Sequence, residues 1–510
     1  MKNVKESDLT LNSFLIPRIR VLCGKIRLKP NVTAKNYYSS ILHNLILGFL
    51  LGSIELLQRK LLNDSEYYNL PHDEALITNV LVLIADLVSR LFLFPLCGFL
   101  IDKYGRQKMN LVAYLSIAIG VIFFPLPFFF LSTPEPFPWL YTGRIIYAAG
   151  SSMLITMPFV GDYVENECKG KAMGINTLAL GLGIVVSGIL VEVSPKIPLT
   201  LSQTFIGVIV IILLPGLISN LLLKRGVSYY QAYVNQYPPS SNSKAKLKMN
   251  SLKMTLRVIK RRPWVYTGFI FSFLCGMNLG IISLHHYIIT PANQIMISHE
   301  PGDMKTLQYS FLIAVFINLT LEILLDLVKT LYIVFAVFFF GIISYSIIGN
   351  ISDAPNAILL IFIAACFISC LGCFSLLNYL EYKHCPRVFR GNSYGIKMSS
   401  LVVGMLVTVI TCGLTNGIFT SYTNNTLIFY IMVGFIVLGL FIFIIVYVKY
   451  IRQSDKFAAR KQGTGIKTLL FIDGIDQDLL EKAEYERHFL DQVNESQFKD
   501  SEVIPHQASK

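Results

Sequence analysis

The chain of 510 residues is much more apolar than a soluble domain, because 54% of its residues are hydrophobic and only 15% are charged. This composition predicts a membrane protein and excludes the soluble classes of enzyme and binding module. The net charge of +13 is high enough for nucleic-acid binding. The basic residues, however, lie mostly in the tails and between apolar runs, where membrane topology explains them, so we expect no nucleic-acid partner.

Apolar runs follow one another along most of the chain. Residues 1–36 are polar and basic, with only the short break SFLIP, so we expect a cytosolic tail there and no secretory signal. A helix needs about 20 apolar residues to cross a bilayer. Runs of this length predict twelve transmembrane helices and therefore an all-α polytopic membrane protein. The predicted helices lie near 37–58, 75–101, 109–131, 139–162, 171–193, 199–223, 264–289, 307–328, 330–349, 356–380, 392–419 and 426–449.

The connections between these helices alternate in charge. Lys and Arg are frequent in both tails, in DKYGRQK, in residues 224–262 and in KHCPRVFR, whereas STPEPFP and SYTNNT contain neither. The positive-inside rule then places both termini and the 224–262 loop in the cytosol. An even number of transmembrane helices agrees with this orientation.

The 224–262 loop divides the chain into two halves of six helices, 37–223 and 263–450, followed by a cytosolic tail at 451–510. The halves share a short repeat, since KGKAMGI at 169–175 and RGNSYGI at 390–396 each open the fifth helix of their half. A fainter repeat relates Asp326 and Lys329, at the cytosolic end of the eighth predicted helix, to Asp102 and Arg106 at the end of the second. Parallel repeats of this kind are typical of transporters.

The stretch GFLIDKYGRQK lies between the second and third predicted helices. It resembles the signature of the major facilitator superfamily at that place, which is Gly, three residues, Asp, a basic residue, any residue, Gly and a basic residue. Five residues fill these places: Gly98, Asp102, Lys103, Gly105 and Arg106. A tight connection needs a glycine for its dihedral angles, and a close helix contact needs another. The resemblance implies that this motif holds the two halves together on the cytosolic side.

Other matches resemble the sugar-porter and organic-ion branches of the superfamily. The resemblance adds one group of residues to the gating motif: Arg144, Asp162, Lys169, Gly170, Arg390 and Gly391. The acidic position of the second half is occupied by Lys383, which departs from the pattern. Residues expected to contact a sugar also differ, since Ser272, Phe273 and Thr177 stand where sugar porters have Gln. The resemblance therefore implies the fold and does not imply a sugar.

Asp86 and Arg90 are the clearest candidates for the solute or ion pathway. Both lie near the middle of the second predicted helix, where a charge costs about 2.5–3.5 kcal/mol on insertion scales. They are four residues apart and so share one helical face and can pair. Two interpretations follow: the pair lies in the pathway, or it is a neutralised pair that packs against a neighbouring helix.

Four further polar residues inside apolar runs are candidates for the pathway: Asn278, Asn318, His285 and Asn44. An amide can bind a polar solute, but it can equally hydrogen-bond between helices. His285 can titrate with pH, although a wet position near the outer membrane surface is the alternative. We expect neither a metal site nor a cofactor.

These features together predict a secondary or facilitative transporter for a small polar or organic-ion solute. The two halves would rock about a site at mid-membrane, driven by the solute gradient or by protons. We expect a protein that functions as a monomer in the plasma membrane or an organelle membrane. A sensor or scaffold with the same fold is the alternative. An enzyme is not expected, because no nucleophile, base or ligand cluster lies at one depth.

Overall fold

The computed structural model describes residues 19–22, 24–28, 32–63, 67–131, 135–165, 168–193, 201–223, 263–292, 302–328, 330–348, 356–384, 390–415 and 427–448. These residues form thirteen α-helices, one short hairpin and one 3₁₀ turn. The helices of the first half are α1 Ala34–Asn63, α2 His72–Tyr104, α3 Arg106–Ile122, α4 Pro136–Thr156, α5 Phe159–Tyr163, α6 Lys169–Val193 and α7 Leu201–Leu222. Those of the second half are α8 Pro263–Ala292, α9 Gly302–Leu325, α10 Thr330–Ile348, α11 Asn356–His384, α12 Arg390–Thr415 and α13 Leu427–Val446.

Twelve of these helices, all except the short α5, occupy the twelve positions predicted from the sequence. Nine spans in the described part of the chain are long and apolar enough to cross a membrane, and one of them combines α4 with α5. Two further helices, α8 and α9, contain shorter apolar stretches. The prediction of an all-α membrane protein is confirmed. The 224–262 loop and the 451–510 tail lie outside the described residues.

Prolines explain the two largest differences from the predicted boundaries. The third helix was predicted to reach residue 131 but ends at Ile122. A 3₁₀ turn at Leu126–Phe129 follows it, with Pro125 directly before the turn and Pro127 inside it. The fourth was predicted as one helix over 139–162, but Pro158 divides it into α4 and α5. Proline removes a backbone donor and disfavours helix at the residue before it.

The helices of each half pack in the same pairs, so the sequence repeat is also a structural repeat. In the first half α1 packs on α6 and α7, and α4 packs on α2 and α3. The second half repeats this arrangement, with α8 on α12 and α13 and α11 on α9 and α10. The closest approaches are also repeated. A Cβ added at Gly48 would lie 1.9 Å from Leu180 O, and one at Gly276 would lie 1.9 Å from Leu401 O.

The two halves meet along two helix pairs, α2 with α12 and α6 with α9. The internal repeat relates the two pairs, because α9 corresponds to α2 and α12 corresponds to α6. The repeated heptapeptides therefore open α6 and α12, one helix of each of these two pairs. The end of the bundle at which α2 joins α3 is called the gate end below.

Part of the predicted N-terminal tail is folded. Strands β1 Arg20–Val21 and β2 Ile26–Arg27 form an antiparallel hairpin. The N–H of Glu165 donates to Arg27 O at 3.1 Å, so the hairpin lies against the connection between α5 and α6. Ile26 and Leu28 are fully buried there. A two-residue strand has too few residues for a period-two pattern, so the sequence did not predict this hairpin.

Candidate functional site

The gate begins at the connection between α2 and α3, which is a single residue, Gly105. This glycine has φ of +90°, a conformation that residues with a Cβ rarely adopt, and its N–H donates to Ile101 O at 3.0 Å. The sharp turn brings Arg106 back over the end of α2. Its Nη1 donates to Asp102 Oδ1 at 2.9 Å. Lys103 points elsewhere, with Nζ 4.9 Å from the centre of the Tyr104 ring.

Asp102 joins the first half to the second through the N-terminus of α12. Its carboxylate accepts the backbone N–H of Gly391 at 3.1 Å and that of Asn392 at 2.8 Å. These N–H groups lie in the first turn of a helix, where no carbonyl of the same helix is available to them. An anion at this position also interacts favourably with the helix dipole. The contact therefore stabilises the closed arrangement of α2 and α12.

Asp162 on α5 bridges two arginines from opposite halves. Oδ2 accepts Arg106 Nε at 2.9 Å, and Oδ1 accepts Arg390 Nη1 at 2.9 Å. Asp162 and Arg390 have only 1% and 2% of their side-chain surface exposed. Buried ion pairs are strongly destabilised when one partner is removed, because the other charge is left uncompensated. Removal of Asp162 would therefore weaken the contact between the halves and leave the buried Arg390 without this ion pair.

The carbonyl of Tyr382 on α11 provides a second contact between the halves. Lys169 Nζ from the first half donates to this oxygen, and Arg390 Nη2 from the second half donates to it at 3.3 Å. Lys169 is 1% exposed. Two cations thus share one carbonyl at the end of α11, where the helix dipole favours positive charge.

Asp326, which follows α9, repeats the contact of Asp102 in the opposite direction. Its Oδ1 accepts the N–H of Gly170 and its Oδ2 accepts that of Lys171, both at 2.9 Å. A carboxylate of the second half therefore binds the N-terminus of α6, as Asp102 of the first half binds that of α12. The heptapeptide repeat provides the N–H groups in both places.

Gly98 and Gly391 let the backbones of α2 and α12 touch. A Cβ at Gly98 would lie 2.3 Å from Gly391 O, and one at Gly391 would lie 2.6 Å from Asp102 Oδ1. A Cβ at Gly170 would likewise lie 2.2 Å from Glu322 O at the α6–α9 contact. Side chains at these positions would separate the halves before the aspartates reached their N–H partners.

A cavity of about 430 Å³ lies between the two halves. Tyr382 and Tyr394, which line it, belong to the helices that form the gate. Its polar and charged lining comes mainly from the first half: His43, Asn44, Asp86, Arg90, Arg144, Asn176 and Thr177. Its lining from the second half is mostly aromatic, aliphatic or sulfur-containing, as in Cys275, Phe311, Phe367, Cys370, Phe374 and Met398.

The structure brings Asp86 and Arg90 together on the cavity wall. Arg90 Nε donates to Asp86 Oδ2 at 2.9 Å, and the exposed fraction of the side chain is 9% for Arg90 and 5% for Asp86. The guanidinium carbon of Arg90 lies 5.7 Å from the centre of the Tyr147 ring. Asp86 Oδ1 is buried and has no hydrogen-bond partner among the described residues. One carboxylate oxygen is therefore left for a donor within the cavity.

Arg144, which the resemblance groups with the gate, lies on the cavity wall instead. Its Nε donates to Gln58 Oε1 at 2.6 Å, and Gln58 Nε2 donates to Asn79 Oδ1 at 2.7 Å. The reason is its place on α4. It lies twelve residues before Thr156, which at 1.5 Å per residue is roughly 18 Å from the gate end of that helix.

The two candidate asparagines of the second half, Asn278 and Asn318, lie between helices and are not among the described residues that line the cavity. Asn278 Nδ2 donates to Leu274 O at 2.7 Å, and its Oδ1 accepts the hydroxyl of Tyr345. Asn318 Nδ2 donates to Ser375 Oγ at 3.0 Å. This is the alternative role of interhelical hydrogen bonding considered above for an amide at mid-membrane.

The remaining candidates lie on α1 and α8. Asn44 lines the cavity, while its Nδ2 donates to Ser40 O of its own helix at 2.8 Å. His43 beside it is buried, with Nε2 3.0 Å from Leu154 O. The backbone of His285 lies within α8, and its side chain is outside the described part of the structure.

Two cavity residues that sequence analysis did not select are Asn176 and Asn378. Each lies inside an apolar helix, on α6 and α11 respectively, and lines the cavity. An amide within an apolar run is the signal that could have identified them, and the same signal selected Asn278 and Asn318. The described residues contain no group of three or more His, Cys, Asp or Glu that could hold a metal ion.

Comparison with known proteins identifies the family. A model described as Major Facilitator Superfamily matches residues 65–407. This chain belongs to the major facilitator superfamily. The resemblance carried by the α2–α3 motif is thereby confirmed, and with it a multi-pass membrane protein.

Individual proteins match over shorter stretches. Multidrug resistance protein 1 of Bacillus subtilis is 26% identical over 126 residues, which are 23% of this chain and 30% of that protein. Magnetosome protein MamH of Paramagnetospirillum magneticum is 25% identical over 131 residues, 23% of this chain and 28% of that protein. The chain thus matches less than a third of the length of either relative.

Two solved structures of the xylose transporter XylE share the fold. One, described as a proton:xylose symporter bound to 6-bromo-6-deoxy-D-glucose, has a TM-score of 0.60, and the match covers 81% of this chain and 95% of that one. The other, a partially occluded inward-open conformation from E. coli, has a TM-score of 0.54 and covers 79% and 95%. Both are 15% identical to this chain, a level that shows the fold and not the solute.

Proposed function

We propose that this protein is a transporter that carries a small polar or organic-ion solute across a membrane by alternating access. The observation that carries the proposal is the cavity between the two halves. The cavity is bordered at the gate end by charged contacts that join one half to the other. A gate of this kind can open and close without rebuilding either half, because its contacts lie at the ends of rigid helices. Binding in the cavity then shifts the population between the two arrangements.

The proposal includes the orientation of the chain. We assign the gate end to the cytosol, because DKYGRQK and KHCPRVFR, the basic connections, lie at that end. The domains are then a tail at 1–36, halves at 37–223 and 263–450, a cytosolic loop at 224–262 and a cytosolic tail at 451–510. The described arrangement is the one closed toward the cytosol.

The chemistry of the cavity favours a solute with one polar or ionic end and an apolar body. The charged pair Asp86–Arg90 and the amide of Asn176 belong to the first half. The opposite wall presents Phe311, Phe367 and other apolar side chains. Asp86 Oδ1 is the group we assign to a donor on the solute, and Arg90 holds the carboxylate in place through its other oxygen.

Transport by the full chain in proteoliposomes tests this function. A panel of small radiolabelled organic cations, anions and neutral polar solutes would be assayed for uptake, with and without a pH gradient. We expect saturable uptake of at least one class, and loss of that uptake in Asp86→Asn when uptake is compared per amount of correctly inserted protein. Glu135→Gln, at an exposed cap of α4 and outside the cavity, is the matched control. A sensor or scaffold would accumulate no solute in any condition, and turnover into a new chemical product would instead indicate an enzyme.

A further inference from the structure

Glu322 on α9 is a buried acidic residue at the contact between the two halves. Its side chain is 1% exposed. Oε1 accepts the hydroxyl of Thr177 on α6, at 2.9 Å, and also the hydroxyl of Ser375 on α11. The first of these hydrogen bonds crosses from one half to the other. Glu322 therefore has a partner that it keeps only while α6 and α9 stay together.

The second carboxyl oxygen of Glu322 has no hydrogen-bond partner among the described residues. It lies against Gly174, where an added Cβ would be 3.2 Å from Oε2. Within the described part of the chain, the ion pairs do not include Glu322. Its polar neighbours are the hydroxyl groups of Thr177 and Ser375, the amide of Asn318 and backbone groups, all of them neutral.

The aspartates of the gate differ from Glu322 in this respect. Asp102 and Asp162 are paired with arginines, and Asp326 accepts two backbone N–H groups from the start of a helix. An ionised carboxylate can be buried when it has such partners, and it is strongly disfavoured without them. The surroundings of Glu322 therefore suit the neutral, protonated carboxyl.

The other charged and titratable groups near Glu322 are engaged elsewhere. Asp326 lies one turn further along the chain from Glu322, and its carboxylate binds the N-terminus of α6, including the N–H of Lys171. On α6, Lys169 donates to the carbonyl of Tyr382. On α11, two phenols are nearby: that of Tyr382, and that of Tyr379, which donates to Leu325 O at 2.8 Å. The Arg390 guanidinium beyond them pairs with Asp162. Glu322 thus faces no described cation that would hold its carboxyl ionised.

We propose that Glu322 is a proton-binding site that couples the cytosolic gate to protons. The proposal rests on the alternating access proposed above. With the gate closed, the carboxyl holds its proton between α6, α9 and α11. When α6 and α9 separate, Glu322 loses the Thr177 hydroxyl and meets cytosolic water, and its O–H bond transfers the proton to that water. Thr177 lines the cavity and donates to Glu322, so it connects the cavity to the site.

The direction of the pH effect follows from this assignment. Closing the gate takes up a proton, so low pH favours the closed state and high pH favours the state open to the cytosol. Glu322→Gln keeps the shape of the protonated carboxyl and cannot lose a proton. We therefore expect this variant to stay closed at every pH at which the protein is folded.

The experiment measures the opening of the gate directly, with protons as the only ligand. Spin labels on unnatural amino acids are placed at Lys108 and Tyr332, two exposed residues at the gate end of α3 and α10. Pulsed electron resonance then reports the distance between the halves of the reconstituted full chain as a function of pH. We expect the unmodified protein to shift toward the longer distance as pH rises, and Glu322→Gln to show at least a tenfold smaller open population at the highest pH.

Two further variants make the result decisive. Glu74→Gln removes an exposed acidic residue near the start of α2 and should leave the pH dependence unchanged. Thr177→Val keeps Glu322 and removes the hydroxyl of the first half that donates to its carboxyl. This variant should shift the pH midpoint of gate opening by about one unit. It tests the assignment of Glu322 if Glu322→Gln does not fold.

Three outcomes overturn the assignment. A pH shift that persists in Glu322→Gln, or a midpoint unmoved in Thr177→Val, excludes Glu322 as the site. If the populations of the two distances change with solute but not with pH, alternating access is supported and Glu322 does not couple the gate to protons. A single distance under every condition, with and without the solute panel, would instead contradict the proposed function itself.

Discussion

Asp102 and Asp326 make the same contact in opposite directions across the molecule. Each carboxylate accepts two backbone N–H groups from the first turn of a helix in the other half, Asp102 from Gly391 and Asn392 and Asp326 from Gly170 and Lys171. The gate is therefore held by a pair of equivalent caps, and additional ion pairs reinforce one of them. This asymmetry predicts that the two aspartates differ in importance.

Asp102→Asn should shift the protein toward the state open to the cytosol. The change removes the negative charge from Arg106 and from the N-terminus of α12, a loss of about 2 kcal/mol for a charged hydrogen bond at a helix end. That loss corresponds to roughly a 30-fold change in the conformational equilibrium. Solute uptake should slow strongly while equilibrium solute binding changes only a few-fold, and normal turnover by correctly inserted protein would reduce the motif to a topology signal.

Asp326→Asn should have a smaller effect in the same direction. Asp326 caps α6 through two N–H groups, whereas Asp102 also binds Arg106, which is itself bound to Asp162. We expect the ratio of open to closed protein to rise about three- to tenfold when this helix cap is neutralised. The distance between spin labels on the two halves measures this ratio. A double mutant whose effect equals the product of the two single effects would show that the caps act independently, and an equal effect of the two single variants would contradict the asymmetry.

Gly98→Ala should prevent the gate from closing. The new Cβ would lie 2.3 Å from the backbone oxygen of Gly391, and backbone cannot move aside as a flexible side chain can. We expect at least a tenfold loss of uptake with normal membrane insertion. Gly207→Ala is the matched control, since a Cβ there meets nothing within 4 Å. Full activity of Gly98→Ala would show that α2 and α12 do not come this close during transport.

Sequence patterns predicted the helices more accurately than the side-chain partners, and the membrane explains the difference. Length and apolarity fix a transmembrane helix, but its lipid-facing and protein-facing sides are both apolar, so the pattern does not tell which way a side chain points. Asp86 and Arg90 were predicted to pair because both lie on one helix. Asn278 was a candidate for the pathway or for an interhelical hydrogen bond, and its amide oxygen accepts the hydroxyl of Tyr345, a contact between α8 and α10 that no local pattern contains.

The contacts of the gate show the same limit. The resemblance implied that the motif around Asp102 holds the two halves together, and the described residues show Asp102 bound to a basic side chain and to a helix N-terminus of the other half. The sequence did not indicate that the helix would be the one opened by the second heptapeptide, 289 residues from Asp102. Such a pairing depends on how the halves assemble, and only the internal repeat connects them in the sequence.

The orientation of the chain predicts where proteases can cut. A protease site inserted into the 224–262 loop should be cleaved in inside-out vesicles and protected in intact cells, because this basic loop is assigned to the cytosol. The same site inserted at 132–134, in the connection before α4 that has no Lys or Arg, should show the opposite pattern. Cleavage of the long loop from outside intact cells would contradict the orientation and would move the gate to the other side of the membrane.

A double-mutant cycle on Asp86 and Arg90 separates a structural role from a role in the pathway. Removing one partner leaves an uncompensated buried charge, for which a loss of about 3–5 kcal/mol is typical, so Asp86→Asn and Arg90→Gln should each reduce the amount of folded protein. The double mutant should recover folding, measured by its yield and thermal stability, because neither charge remains. If the pair lies in the pathway, the double mutant should still fail to transport, since Asp86 Oδ1 is the group left for the solute. Recovery of transport together with folding would assign the pair to packing alone, and Asn176 and Asn378 would then be the polar cavity residues to test.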